Sequence, residues 1–316
     1  MFDKTTTAEQ VLDAYSNLSR HKTVLITGCN CGIGYETAKQ FYRGGACVIM
    51  LCRSEDKMLA AKDNIISEVS NENNSCGTIE CMKLDVSSNK SVKNLVEQWS
   101  TRSDTSIDTL ILNAGVSCIP LSYTEDGQES TFATNHLGHF ALALLLLPFM
   151  KTKATHGVES RIITISSSAH KTGEIAFDDF NWKSRWYGIG NRAYNDSKLA
   201  NILFTRELHR RLKRCGKSED IVAVSLDPGF IYTEIGRHSL MIKLYSFFAY
   251  NKYVPITIGA ATTMYCALCP EIKGGLYFKD CAEETPYEKV LNDKVECELF
   301  DVSELITGVK FPFSEQ

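Results

Sequence analysis

The sequence predicts an α/β fold: a doubly wound parallel sheet of about seven strands with helices on both faces. Three observations predict it. Short β-branched runs alternate with longer helical stretches along the whole chain. The first two strand–helix units repeat at the spacing that a parallel crossover requires. No internal repeat, low-complexity segment or Pro-rich linker interrupts the pattern, so a single domain is expected over 22–316, after a polar N-terminal arm at 1–21.

Candidate strands are 23–27, 47–52, 78–84, 109–112, 161–166, 221–226 and 276–278, each rich in Val, Ile, Leu or Thr and short enough for a buried strand. Candidate helices begin near Ile33, Ser54, Ser88, Glu125, Asn191, Ile256 and Pro286. With 316 residues, 44% of them hydrophobic, the chain can bury a sizeable core. A net charge of −4 is small for this length and does not favour nucleic acid or an anionic membrane as the main partner. The opening Met1-Phe2-Asp3-Lys4-Thr5 shows no apolar leader, and the 12 cysteines are scattered, so reduced thiols in the cytoplasm are expected. Cys266 and Cys269 form a CxxC without a second pair to complete a zinc site, and no metal is expected. The richest apolar run, 140–149, is about half of the roughly 20 residues that a membrane span needs. The apolar, aromatic segment 239–250 is read as a wall of a substrate pocket, with a peripheral membrane contact as the alternative.

The first strand runs into Thr27-Gly28-Cys29-Asn30-Cys31-Gly32-Ile33-Gly34, and a helical stretch follows at once. Glycines between a strand and a helix let the backbone turn tightly and approach a pyrophosphate, which the amides and dipole of the helix N-terminus favour. The cofactor-binding candidates here are Gly28, Asn30, Cys31, Gly32, Ile33 and Gly34. Cys29 and Cys31 stand where small residues are expected. They are read as filling a small slot, with an oxidisable loop as the alternative. The second strand ends in Cys52-Arg53, about 20 residues past the loop, where an acidic residue would accept bonds from the adenosine ribose of NAD. Position 52 is not acidic, and the guanidinium of Arg53 suits the extra phosphate of NADP; NADP(H) is therefore favoured over NAD(H).

Tyr194 and Lys198 lie four residues apart at the start of a helical stretch, which puts both on one face. A nearby ammonium favours phenolate and is expected to bring the tyrosine closer to working pH, as acid–base catalysis needs. The cluster Ser166-Ser167-Ser168 closes the fifth strand, where a parallel sheet could bring it near that helix.

The G-x-x-x-G-x-G loop, the Y-x-x-x-K pair and the strand-end serines, in this order, resemble the short-chain dehydrogenase/reductase family, with a Rossmann-type fold. The resemblance runs from about Lys22 to Lys279. It implies that Asp85 and Val86 flank the adenine, and that Asn113, Ala114 and Gly115 support the nicotinamide ribose. Matching the I-S-S-x-A pattern selects Ser167 as the hydroxyl that holds the substrate oxygen, with Ser166 and Ser168 as the neighbouring registers. The resemblance further implies that Asn135 holds a water linking Lys198 to solvent. It also sets Pro228, Gly229 and Thr233 beside the nicotinamide carboxamide, where Asp227 replaces the histidine of many relatives. His136 and His139 are assigned to packing or helix hydrogen bonding.

Longer strings, among them Asn135-His136-Leu137-Gly138-His139-Phe140 and Ser197-Lys198-Leu199-Ala200-Asn201, resemble the retinol dehydrogenase and WW-domain-containing oxidoreductase-like group, without WW modules. The implied catalytic set is Asn135, Ser167, Tyr194 and Lys198. The implied activity is an NADP(H)-dependent interconversion of alcohol and carbonyl on a hydrophobic substrate such as a retinoid, steroid or other lipid, covered by a lid at about 230–255. Homodimerisation through the helices beginning near Glu125 and Asn191 is also implied. The alternatives are a cofactor-binding regulator or scaffold with little turnover, and an extended-family dehydratase or epimerase, against which the loop spacing argues.

Overall fold

The computed structural model describes residues 2–70, 76–153, 159–188, 191–231, 254–288 and 291–314. Eight strands form one sheet in the order β3-β2-β1-β4-β5-β6-β7-β8. β1 (Thr23–Thr27), β2 (Cys47–Cys52), β3 (Thr78–Lys83), β4 (Thr109–Leu112), β5 (Ser160–Ile165), β6 (Ile221–Asp227) and β7 (Tyr277–Lys279) are all parallel. β8 (Ala282–Glu284) turns back antiparallel on β7. The sequence predicts seven strands and misses β8. Its three residues are polar or small, and its hairpin is made by Asp280 and Cys281, both at positive φ.

Within each inner strand, successive side chains enter opposite layers. Val24, Ile26, Val48 and Met50 join one core, while Leu25, Ile49 and Leu51 join the other. Burial on both faces is why these strands read as unbroken apolar runs. β1 has β2 on one side and β4 on the other, so the chain winds outward from β1 in both directions. The crevice at the carboxyl ends of β1 and β4 is therefore the switch point where such sheets bind ligands.

α2 (Gly32–Arg43), α3 (Glu55–Ser70) and α4 (Asn89–Ser100) are the crossover helices of the first half. α4 is capped by the Ser88 hydroxyl, which accepts from the Ser91 amide, and it buries Val92, Leu95 and Trp99 at helical spacing. The N-terminal arm is more than polar chain: α1 (Ala8–Ala14) buries Val11 and Leu12 in the same core as Ala38 and Phe41 of α2.

Two helix starts differ from the sequence expectation. α5 (Ser130–Phe149) begins five residues after Glu125, because 124–128 closes a turn and the Glu129 carboxylate caps the helix, accepting from the Thr131 and Phe132 amides at 2.7 Å each. α8 (Asp293–Thr307) begins seven residues after Pro286, at a cap made by Asn292. α6 (Asn191–Arg214) and α7 (Ile256–Leu268) start where expected. α5 is also longer than its ten-residue apolar run suggests. It is the one helix among the described residues long and apolar enough to cross a membrane, and 78% of that stretch is buried inside the fold, as suits a core helix.

α8 lies across α5 and α6. Phe300 packs edge-on against Phe140 at 4.9 Å and stacks on Phe204 at 6.1 Å, while Glu296 pairs with Arg206 and Arg210. The faces of α5 and α6 through which the resemblance implies a homodimer are thus covered in part by the chain's own C-terminal helix.

Candidate active site

Gly28 leaves β1 at φ +66°, and a Cβ there would lie 2.7 Å from the Ala114 Cα. Only glycine fits that combination of left-handed turn and close approach. A Cβ on Gly34 would meet the Asn113 Nδ2 at 2.5 Å, so the first turn of α2 is pressed against the end of β4. Asn113 secures the turn by donating from Nδ2 to the carbonyls of Thr27 and Gly28, at 2.8 and 3.0 Å. The loop from Asn30 through Ile33 stands over this switch point with the start of α2, whose first amides have no acceptor within the helix. This cradle fits a dinucleotide pyrophosphate: anions are favoured at such a terminus, and the glycines leave the room.

Around it, Arg53 is exposed immediately after β2. Asp85 and Val86 follow β3, where the Asp85 carboxylate accepts from the amide and hydroxyl of Ser87. Ala114 and Gly115 continue from Asn113, and the Thr27 hydroxyl accepts from the amides of both Asn113 and Ala114 at 2.9 Å. Pro228 and Gly229 follow β6, where the Gly229 amide donates to the Asp227 carboxylate at 3.0 Å. Thr233 and most of the expected lid lie outside the described residues.

A second group gathers at the ends of β5 and β6. Tyr194 and Lys198 share one face of α6, the Lys198 Nζ lying 5.5 Å from the centre of the tyrosine ring. Ser167 follows β5, and its hydroxyl lies near enough to the Tyr194 phenol to oppose the rise of its pKa, while its oxygen accepts from the Ala169 amide at 3.2 Å. Of the neighbouring serines, Ser166 is 1% exposed and donates its hydroxyl to the Lys198 carbonyl at 2.7 Å, while Ser168 faces solvent. Lys198 Nζ donates to the Ile165 carbonyl at 3.0 Å.

Asn135 sits in a π-helical turn, Ala133–Leu137, of the kind that recurs at functional sites. Its amide bonds both backbone groups of Val116 and donates to the Ser197 hydroxyl. Its backbone carbonyl accepts from His139 Nδ1 at 3.2 Å, and the other nitrogen of that ring accepts from Thr27. His139 thereby ties the end of β1 to the Asn135 turn. Burial lowers the pKa of His139 to about 4 and that of His136 to about 3, so both rings are neutral.

The electrostatics depart from the sequence expectation at Tyr194. Instead of moving toward neutral pH, its pKa is pushed up to about 12, first by burial, with the Ser167 hydroxyl opposing and the charge of Asp227 adding to the rise. The Lys198 ammonium is committed to the Ile165 carbonyl instead of the phenol. Lys198 is itself lowered to about 8 by burial, against the opposing pull of Asp227. The arrangement sets a protonated phenol beside a hydroxyl, and a protein with those two groups can polarise a carbonyl oxygen and hand it a proton. Sequence reasoning singled out neither Thr27 nor Ser166 as an anchor, because their partners are backbone groups far along the chain.

A family model described as short chain dehydrogenase matches residues 22–181. Retinol dehydrogenase 14 of Mus musculus is 37% identical over 305 residues, covering 92% of this chain and 87% of that protein. Short-chain dehydrogenase TIC 32 B, chloroplastic, of Brassica napus is 39% identical over 312 residues, covering 96% and 93%. Among solved structures, an uncharacterized protein from Mycobacterium Paratuberculosis superposes with a TM-score of 0.73 at 33% identity, over 93% of this chain and 96% of that one. A Pseudomonas aeruginosa RhlG/NADP complex shares the fold, with a TM-score of 0.63 at 21% identity, over 84% and 96%. With the glycine cradle and the Tyr–Lys helix already in place, these relations establish that the chain belongs to the short-chain dehydrogenase/reductase family, as an oxidoreductase of the alcohol–carbonyl class that uses NAD(P).

Proposed function

We propose that the protein is an NADP(H)-dependent oxidoreductase that interconverts a hydrophobic alcohol and its carbonyl, with Ser167, Tyr194, Lys198 and Asn135 as its working residues. The observation that carries this reading is the meeting of Ser167, Tyr194 and Lys198 beside the glycine cradle. Ser167 and Tyr194 hold the substrate oxygen. Tyr194 is protonated at neutral pH, the state that delivers a proton to a carbonyl oxygen as it becomes an alcohol. Lys198 binds the nicotinamide ribose, and its ammonium, 5.5 Å from the Tyr194 ring centre, favours the phenolate left when Tyr194 gives up its proton, while Asn135 holds a water that links Lys198 to solvent. The nicotinamide, when bound, supplies or accepts the hydride.

Cofactor preference rests on the end of β2. Cys52 offers no carboxylate to a ribose diol, and the exposed guanidinium of Arg53 is available to a phosphate. Asn30 to Gly34 receive the pyrophosphate, Asp85 and Val86 the adenine, Asn113 to Gly115 the nicotinamide ribose, and Pro228, Gly229 and Thr233 the carboxamide. The apolar segment 230–255 supplies the substrate wall in this reading, and Phe230 at its start is 51% exposed. Retinoids, steroids and other lipids are the substrate class of this reading, and the name of the murine relative, a retinol dehydrogenase, supports its retinoid member. We place the protein in the cytoplasm, with 239–250 reaching a membrane surface where such substrates partition. A homodimer through α5 and α6 belongs to the same reading.

The test is a fluorescence titration of NADPH and NADH on wild type and Arg53→Ala, followed by turnover of a panel of lipid ketones. NADPH is expected to bind more tightly, and Arg53→Ala to lose about tenfold or more of that preference, the worth of a charged hydrogen bond. Equal affinity for both nucleotides in wild type refutes the NADP assignment. Tight NADPH binding without turnover across the panel assigns the protein to a regulatory or scaffold role instead.

A further inference from the structure

Beneath the glycine loop lies a pair of thiols that the reaction does not use. Cys29 follows Gly28 in the loop, and Cys52 is the last residue of β2. Their Sγ atoms are 3.7 Å apart, and the residues are 0% and 3% exposed. The approach is made by the turn at Gly28, whose amide donates to the Leu51 carbonyl at 2.8 Å and so folds the loop over the end of β2.

The two sulfurs have different characters. Cys29 has the Ile26 carbonyl 3.2 Å from its Sγ, and burial holds its thiol well above the usual range. Cys52 is lowered, first by its hydrogen bond with Cys29 and further by the backbone amides of Cys29, Asn30 and Gly28. The surroundings thus favour the thiolate at Cys52 over Cys29, whose own S–H is directed to the Ile26 carbonyl. A thiolate is the reactive form of cysteine. Cys52 also occupies the position at the end of β2 where an NAD enzyme would hold the adenosine ribose.

We propose that Cys29 and Cys52 are a modification site: a hydroperoxide converts them to an intramolecular disulfide that closes the adenosine end of the cofactor cleft. The inference rests on the cofactor reading given above. The Cys52 thiolate attacks the peroxide, taking one oxygen to become a sulfenic acid and releasing an alcohol, or water from hydrogen peroxide. Cys29 then attacks the Cys52 sulfur. The S–O bond breaks, the hydroxyl leaves as water with the Cys29 proton, and the S–S bond forms. Two thiols lose two electrons, and the peroxide gains them. A dithiol reverses the change, becoming a cyclic disulfide as both cysteines regain their protons.

Closing the sulfurs from 3.7 Å to a bond of about 2.05 Å draws the loop onto β2. The loop amides then leave the position from which they meet a pyrophosphate, and the ribose loses its seat at Cys52. Bound cofactor covers the same place and shields the pair, so the empty enzyme is the oxidisable one. Cys81 lies close enough for the charge of Cys52 to be felt there, and Cys31 is exposed at the head of α2; these are the competing thiols.

The experiment treats the reduced full-length protein with hydrogen peroxide, with and without saturating NADP+. Disulfides are mapped by non-reducing peptide mass spectrometry, and NADPH affinity is measured before and after. The expected result is a Cys29–Cys52 cross-link that dithiothreitol reverses, that NADP+ slows at least tenfold, and that weakens NADPH binding at least tenfold. Cys29→Ser and Cys52→Ser, each compared with its own untreated form, should keep the same NADPH affinity after peroxide. A map showing Cys52 joined to Cys81, or no cross-link at all, in protein that binds NADPH normally overturns the disulfide alone. A Cys29–Cys52 cross-link that leaves NADPH affinity unchanged overturns the gating. Reduced protein that binds no NADPH overturns both the gating and the cofactor reading beneath it.

Discussion

The proposed cofactor side and the proposed proton-transfer side of the cleft are built from different materials. Around β1 and β2 the working groups are mainly backbone, a turn that only Gly28 can make and the amides at the head of α2, joined by one exposed side chain, Arg53, at a strand end. Around β5, β6 and α6 they are side chains, brought from separate segments and held away from water, with Tyr194 raised to about 12 and Lys198 lowered to about 8. The difference teaches where the free energy lies. A helix terminus has unsatisfied amides in any fold, so using them to meet an anion costs little. A buried ammonium must be removed from water, and its cost is carried by the whole domain. Damage to the first side should abolish binding, and loss of the Tyr194 phenol on the second should abolish chemistry while leaving binding in place.

Gly28→Val is the strongest way to break the first side. The β-branched side chain meets Ala114 Cα at under 3 Å and must also adopt φ +66°. NADPH affinity is expected to fall at least a hundredfold, as read by fluorescence titration; unchanged affinity would place the nucleotide elsewhere. Tyr194→Phe is the matching cut on the other side. Removing a positioned acid should lower kcat by about 10²–10⁴-fold, with NADPH affinity within about twofold of wild type. A variant that still turns over at the wild-type rate would strip Tyr194 of its role.

The same contrast explains what could be read from the sequence. The loop was legible because its meaning is local: the glycines, the strand before them and the helix after them are contiguous, and so is the step from Cys52 to Arg53. Tyr194 and Lys198 were legible as a pair for the same reason, since helical spacing alone puts them on one face. What escaped was anything set by distant packing. Nothing in the sequence says that the Thr27 hydroxyl will anchor Asn113 and Ala114, or that His139 will join Thr27 to the carbonyl of Asn135. The rise at Tyr194 escaped too: spacing predicts a nearby ammonium, but only the fold shows that ammonium turned to the Ile165 carbonyl and the phenol half-buried. β8 and the late start of α8 were missed because a hairpin and an asparagine cap, instead of apolar periodicity, define them.

Lys198→Met sharpens the comparison most finely, because it predicts a gain. In the fold Lys198 is 3% exposed, and its pKa stands at about 8 against an ordinary 10.5. Below about 8 both the folded and unfolded chains carry the proton, and the fold bears the full cost of the buried charge. A lowering from 10.5 to about 8, at about 1.4 kcal/mol per pH unit, corresponds to ~3 kcal/mol. Between about 8 and 10.5 the folded chain binds fewer protons than the unfolded one, so the stability of the wild type rises with pH through that window. Methionine fills a similar volume with no charge, and it forfeits the bond to the Ile165 carbonyl, about 1 kcal/mol. The variant should therefore be inactive yet more stable than wild type by ~2 kcal/mol at pH 7, as measured by urea unfolding, with the gap closing as pH is raised toward 10. A variant that is less stable at pH 7, or a gap that does not shrink with pH, would mean that the lysine is not strained in the fold and that its cost is not stored at the chemical side of the cleft.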